Sequence, residues 1–225
     1  MKKIDTIIFD MDGTLLNTIE DIADSVNYIL KKYGYQKKTY DEIKSFVGNG
    51  AARLMELALP GGRSNPDFEK YLNEYKHYYL KNNNNKTSPY EGIIELLEEL
   101  TRKNYKIAIV SNKNDDNIKD LSRMYFSDYI KTAIGESKDV MRKPAPDMVH
   151  NALRELKSNT ESSVYVGDSE VDIDTAKNAD IPCVSVCWGF RDKEFLRKHG
   201  AEYLIDEPYE LLEFIEEIMA EGAAI

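Results

Sequence analysis

Cysteine and tryptophan are scarce in this 225-residue chain, which has two of the first and one of the second. Cys183 and Cys187 lie four apart in what reads as one strand. Same-face neighbours along a strand are poor disulfide partners. A disulfide-stapled scaffold is excluded, and a reduced, cytoplasmic setting is expected. Histidine is also rare, and His77, His150 and His199 show no ligand spacing, so a histidine-rich metal centre is excluded. No apolar run approaches the ~18–20 residues that span a bilayer. The start, Met-Lys-Lys-Ile-Asp, enters the first strand without the apolar stretch and cleavage site of a signal peptide. Basic residues are in deficit, 30 Lys and Arg against 40 Asp and Glu, for a net charge of −10. Such a chain repels a phosphate backbone, so neither nucleic acid nor membrane is an expected partner. A small phosphorylated metabolite remains possible, because a few local cations and a metal can overcome the mean charge. Hydrophobic residues make up 42% of the chain, enough for a real core.

What is present is concentrated first at residues 7–16, Ile-Ile-Phe-Asp-Met-Asp-Gly-Thr-Leu-Leu. An apolar run ends in two carboxylates, Asp10 and Asp12. A buried strand that stops this way puts charge at the carboxyl edge of a sheet, where open α/β folds bind ligands. Adjacent carboxylates repel and persist together only with a cation or a shared proton. Asp-Gly is also an ordinary turn. A calcium loop starting at Asp10 fails, because its fifth, sixth and twelfth places hold Thr14, Leu15 and Asp21.

The last two-thirds of the chain alternates strand and helix. Strands are expected at 106–110, 129–134, 163–166 and 183–187. Helices are expected near 114–125, 145–156 and 170–179. A last helix opens at Pro208, with Leu211, Leu212, Phe214, Ile215 and Ile218 as its stripe. The alternation predicts an α/β fold: a Rossmann-like parallel sheet covered by helices on both faces. Residues from about 18 to 82 break it. Ile19, Ile22, Val26, Ile29, Leu30 and Tyr33 fall at helical spacing, short helices follow at 41–46 and 51–59, and a Tyr-rich one carries Phe68, Tyr71, Leu72, Tyr75, Tyr78 and Tyr79. The Tyr stripe reads as helix packing. The polar run 82–85 and Pro89 read as a return linker. The expected organisation is a core of residues 1–16 plus 86–225 with a helical cap, 17–85, inserted after the first strand and able to act as a lid.

Three further strand ends carry chemistry. Ser111-Asn112-Lys113 offers a hydroxyl and turn amides to an anion, though Ser and Asn favour turns anyway. Lys143-Pro144-Ala145-Pro146 opens a helix, with a lysine placed to reach across the strand ends. Val164 to Asp172 ends another apolar strand in carboxylates. A capping box accounts for Ser169 and Asp172 but not for Asp168. In a parallel sheet with right-handed crossovers all these ends share one edge. That edge holds carboxylates for a hard divalent cation and donors for an anion.

In order, these elements resemble the motifs of the haloacid dehalogenase superfamily: Asp-x-Asp-Gly-Thr at 10–14, Ser-Asn at 111–112, Lys-Pro-x-Pro at 143–146 and Gly-Asp-Ser-x-x-Asp at 167–172. The helical insert sits where that superfamily's first type of cap sits. Within it the chain looks most like phosphoglycolate phosphatase-like proteins, through Val47-Gly48-Asn49-Gly50, Pro89-Tyr90-Glu91-Gly92 and Trp188-Gly189-Phe190-Arg191. The resemblance implies hydrolysis of a small phosphomonoester through an aspartyl-phosphate. It makes Asp10 the nucleophile and Asp12 the proton carrier. Ser111, Lys143, Thr14 and Asn112 would sit around the phosphoryl group. Mg2+ would be held by Asp10, Asp168 and the Asp12 carbonyl, with Asp172 supporting through water or by pairing with the lysine. In the cap, Gly48, Asn49, Gly50 and Arg53 would meet the leaving group. Asp12 argues against a true dehalogenase, which lacks that second aspartate. A β-phosphoglucomutase would carry a cap histidine where this chain has Ile22. Pyrophosphate, sugar phosphate and nucleotide substrates stay open, as does a monomer or homodimer. A non-catalytic binding protein would be expected to lose Asp10, Asp12 or Asp168, and all are present.

Overall fold

The computed structural model describes residues 4–221. In chain order the elements are β1 (Thr6–Phe9), β2 (Leu16–Asn17), α1 (Ile19–Lys32), α2 (Tyr40–Phe46), α3 (Gly50–Ala58), α4 (Phe68–Asn82), β3 (Ser88–Pro89), α5 (Ile93–Arg102), β4 (Lys106–Asn114), α6 (Asp115–Phe126), β5 (Thr132–Glu136), α7 (Asp147–Glu155), β6 (Ser163–Gly167), α8 (Glu170–Asn178), β7 (Cys183–Val186), α9 (Lys193–Lys198), β8 (Tyr203–Ile205) and α10 (Glu210–Glu221). They fall into two compact units, Met1–Leu15 with Pro89–Ile225, and Leu16–Ser88. Among the described residues no helix is long and apolar enough to cross a membrane.

The first unit is built on a six-stranded sheet in the order β5-β4-β1-β6-β7-β8, with every pairing parallel. All residues of β1 are buried, as a central strand covered on both faces requires. On one side Ile8, Ala108, Val110 and Tyr165 of the sheet pack with Met148, Val149, Ala152 and Leu153 of α7 and Ala176 of α8. The register sets Phe9 opposite Ile109 of β4 and Val166 of β6. Asp10 and Asp168, just past β1 and β6, and Ser111, within β4, therefore lie at nearly one level. The Asp10 amide still donates to the Val166 carbonyl at 2.8 Å.

The expected strands and helices are present, with shifted ends. β4 runs four residues further, to Asn114, and its register with β5 slips between Val110 and Asn114. α7 begins at Asp147 because Pro146 takes the cap position. Helices α5 and α9 and strand β8 were not anticipated. α9 has six residues with only Leu196 buried, and β8 has three, too short for periodicity to show. The side chain of Ile218, in the expected α10 stripe, lies outside the described residues. Neither cysteine is in a disulfide. Burial and the nearby Asp206 push the Cys187 thiol up to about 11, which leaves it protonated and unreactive at neutral pH.

In the second unit the Tyr stripe does the packing its spacing suggested. Tyr71, Tyr75 and Tyr79 of α4 are buried, Tyr28 of α1 stacks on Tyr78 with centroids 3.8 Å apart, and Tyr33 lies 4.2 Å from Tyr71. At the other end of α1, Asp21 is 2% exposed. It accepts the Thr87 amide at 2.9 Å, the Thr87 hydroxyl at 2.8 Å and the Lys86 amide at 3.0 Å. Asp21→Ala would leave the two buried Thr87 donors without this acceptor, at roughly 1–3 kcal/mol for each such group. A urea or thermal melt should show a loss of about 3 kcal/mol or more. A variant as stable as the parent would refute this account of how the returning chain is held.

Candidate active site

The carboxyl edge of the first unit's sheet gathers side chains from separate parts of the chain. Oxygens of Asp10, Asp168 and Asp172 lie within 4.8 Å of one another, and all three residues are buried. Asp10 follows β1, Asp168 follows β6, and Asp172 lies in the first turn of α8. Lys143 reaches into the group and is 2% exposed. Its Nζ is 2.9 Å from Asp10 Oδ1 and 2.7 Å from Asp172 Oδ1. Burial alone would push the lysine down. Asp10 and Asp172 outweigh it and hold Lys143 well above the ordinary range, so it is a cation at neutral pH.

One lysine does not neutralise three carboxylates. Burial, opposed by Lys143 and reinforced by Asp172 and Asp12, raises Asp10 to about 7. Burial, then Asp172 and Asp10, raises Asp168 well above its usual value. The protein has thus collected more buried negative charge than it compensates, which is the electrostatic signature of a cation site.

The carboxylates are not equivalent. Asp172 Oδ1 accepts from Lys143 and from the Tyr165 hydroxyl at 3.2 Å. Its Oδ2 accepts the Ser169 amide at 3.0 Å and the Ser169 hydroxyl at 2.6 Å. Asp172 thus meets three donors and shares the Tyr165 proton, which also faces the Val110 carbonyl. It closes the capping box of α8 and pairs with Lys143, so both of its oxygens are engaged by the protein. Asp168 is engaged on one oxygen only among its described hydrogen bonds, by the Phe190 amide at 2.6 Å. Two glycines set its position. A Cβ on Gly13 would lie 2.3 Å from Asp168 Oδ2, and one on Gly189 would lie 2.3 Å from Asp168 Cβ. Gly13 also has φ +88°, a conformation that costs an L side chain about 1–2 kcal/mol.

The remaining residues of interest in this unit lie along the same edge. Ser111 and Asn112 are buried in the irregular end of β4, and Asn112 Nδ2 donates to the Lys143 carbonyl at 3.1 Å. Thr14 is fully buried, its hydroxyl meets no partner, and its carbonyl accepts the Trp188 indole N–H at 3.0 Å. The Asp12 carboxylate is not in the three-carboxylate cluster; it pairs with Lys113 at 3.1 Å. In the helical unit, Gly48 and Gly50 take φ of +118° and +75°, and Asn49 is the N-cap residue of α3. Arg53 is 46% exposed and pairs with Glu56 at 3.1 Å on the same helix.

Sequence reasoning had not singled out Tyr165, Lys113 or Gly189 for this edge. Tyr165 ties Lys143, Asp172 and the Val110 carbonyl together through one hydroxyl, at 3.1, 3.2 and 3.2 Å. Its signal was a lone phenol inside an otherwise aliphatic strand, which needs a polar partner once buried.

Known proteins resemble this chain in sequence and in fold. The family model for haloacid dehalogenase-like hydrolases matches residues 7–186. The chain belongs to the haloacid dehalogenase-like hydrolase family. It is similar to phosphoglycolate phosphatase of Aquifex aeolicus, at 29% identity over 96% of this chain and 98% of that one. It is also similar to pyrophosphatase PpaX of Listeria monocytogenes serotype 4a, at 28% over 95% of this chain and 97% of that protein. A crystal structure from Lactobacillus delbrueckii subsp. bulgaricus superposes with a TM-score of 0.90 at 34% identity, covering 95% of this chain and 98% of the other.

Proposed function

We propose that this hydrolase is a magnesium-dependent phosphatase acting on a small phosphomonoester, of the phosphoglycolate class, through an aspartyl-phosphate. The observation that carries the proposal is the cluster of Asp10, Asp168 and Asp172 around the buried Lys143. An ionised carboxylate needs no base to activate it; Lys143 favours that form of Asp10 and a bound cation would favour it further, so Asp10 can attack phosphorus in line with the leaving oxygen. The bond to the leaving oxygen breaks, and Asp12 supplies its proton. Water then attacks the phosphorus of the aspartyl-phosphate, Asp12 takes the proton back, and Asp10 is restored. Lys143, Ser111 and Asn112 are assigned to the phosphoryl oxygens, where charge gathers in the transition state, and Thr14 to their support.

The donor set fits a hard cation: oxygen ligands only, buried, and short of positive charge. Asp10 and Asp168 would hold Mg2+, with the Asp12 carbonyl as a further oxygen and Asp172 in support through Lys143. When bound, the ion supplies positive charge that screens the carboxylates from the phosphoryl group. For the leaving group we assign Gly48, Asn49 and Gly50, whose backbone and side-chain amides suit a small anion at the start of α3. Arg53 is the weaker member, being exposed and already paired.

The likeness to a pyrophosphatase supports a second reading, in which the leaving group is phosphate. A hydrolysis screen over 2-phosphoglycolate, pyrophosphate, hexose phosphates and nucleotides, with MgCl2 or with EDTA, separates the two. We expect the highest kcat/KM on 2-phosphoglycolate and loss of turnover in EDTA. A clear preference for pyrophosphate replaces the leading substrate. Undiminished turnover in EDTA removes the metal from the proposal.

A further inference from the structure

Lys113 has no part in the chemistry above, yet its place is unusual. Its side chain is 6% exposed, and its Nζ lies 3.1 Å from Asp12 Oδ1, on a side chain 13% exposed. A lysine this covered keeps its charge only with a partner. It sits in the stretch where the register of β4 with β5 slips, between Val110 and Asn114. Irregularities of that kind re-aim a strand's side chains next to sites.

We infer that Lys113 is a positioning residue that holds the Asp12 carboxyl in the orientation needed for proton transfer. The inference rests on the phosphatase reading with Asp12 as proton carrier. An aspartate has two side-chain torsions, and a carboxyl at the mouth of a charged site has competing donors. A fixed ammonium selects one orientation. An ammonium also donates to a carboxyl oxygen whether or not the other oxygen bears a proton. The same contact therefore serves Asp12 before it gives up its proton and after. Lys113 touches no reacting atom in this scheme; it acts through Asp12.

A rival role is phosphoryl binding, as for Lys143. The leaving group distinguishes them. An alkoxide is a strong base and leaves only with a proton, whereas p-nitrophenolate leaves without one. In the step that releases the leaving group, a contact that serves proton transfer matters for the first and hardly for the second. A contact to the phosphoryl group, or a general folding defect, affects both alike.

The test uses full-length Lys113→Met, which keeps the apolar stem, together with Lys113→Arg and Asp12→Asn. For each, the single-turnover rate of leaving-group release, which precedes hydrolysis of the aspartyl-phosphate, is measured with Mg2+ on the best alkyl phosphate from the screen and on p-nitrophenyl phosphate. For Lys113→Met we expect a loss of about 10²-fold on the alkyl ester and under about threefold on the aryl ester, within the range general acid catalysis supplies. Asp12→Asn should show the same selectivity, and Lys113→Arg should recover part of the alkyl activity. Equal losses on both esters, or none on either, overturn the inference. A parent enzyme that turns over neither ester overturns the phosphatase reading itself, and does so before any variant is compared.

Discussion

Asp10→Asn should abolish turnover, with kcat falling by about 10⁴-fold or more, as when a covalent nucleophile is removed. The amide has the shape of the carboxylate but no anionic oxygen with which to attack phosphorus. No neighbour replaces it. Asp172 is engaged by Lys143, Tyr165 and Ser169, and Asp168 sits against Gly13, Gly189 and the Phe190 amide. The fold should survive. Asp10 is one of three crowded, buried carboxylates, and its loss relieves repulsion while Lys143 keeps Asp172 at 2.7 Å. The experiment pairs steady-state kinetics with a thermal melt. Parental turnover in Asp10→Asn would sink the aspartyl-phosphate mechanism, and a collapsed melting transition would show that Asp10 is chiefly structural.

Lys143→Met should behave differently, losing both activity and stability. The lysine is 2% exposed and is the cation bonded to both Asp10 and Asp172. Removing one partner of a buried ionic network typically costs about 3–5 kcal/mol, because charge is left uncompensated. At roughly 2–4 °C per kcal/mol for a chain of this size, the melting temperature should fall by roughly 6–20 °C. Methionine fills most of the volume, so the loss reports charge rather than a cavity. Activity should drop by about 10²-fold or more, since an electrostatic contact to the phosphoryl group goes as well. Added MgCl2 should recover part of the stability, because a divalent cation can replace some of the missing positive charge. A variant that melts with the parent would refute the assignment of Lys143 as the counter-charge of this cluster.

Much of this was legible in the chain. Ile7, Ile8 and Phe9 ahead of Asp10, and Val164 and Val166 ahead of Asp168, mark buried strands ending in acids. Alternation of such strands with helices leaves a parallel sheet as the economical solution. Phe68, Tyr71, Leu72, Tyr75 and Tyr79, with odd as well as even spacings, share one face only on a helix, and they are buried on α4. Less was legible where signals are short or local. The three residues of β8 carry no period, and the extension of β4 through Ser111–Asn114 depends on its neighbour β5. The chemistry of Asp172 was open between a cap, a water-bridged ligand and a partner of the lysine. The structure makes it cap and partner at once.

Sequence by itself determined the inventory: the carboxylates that follow two strands, the serine and the lysine carried by later segments, and that parallel order brings strand ends to one edge. Those follow from covalent order and periodicity. Only the tertiary structure decided how the charges are shared. It gave Lys143 to Asp10 and Asp172, Lys113 to Asp12, and the Phe190 amide to Asp168. Partners separated by some 20 to 130 residues are chosen by packing and desolvation, which act on distance in space and leave no mark on spacing in the chain.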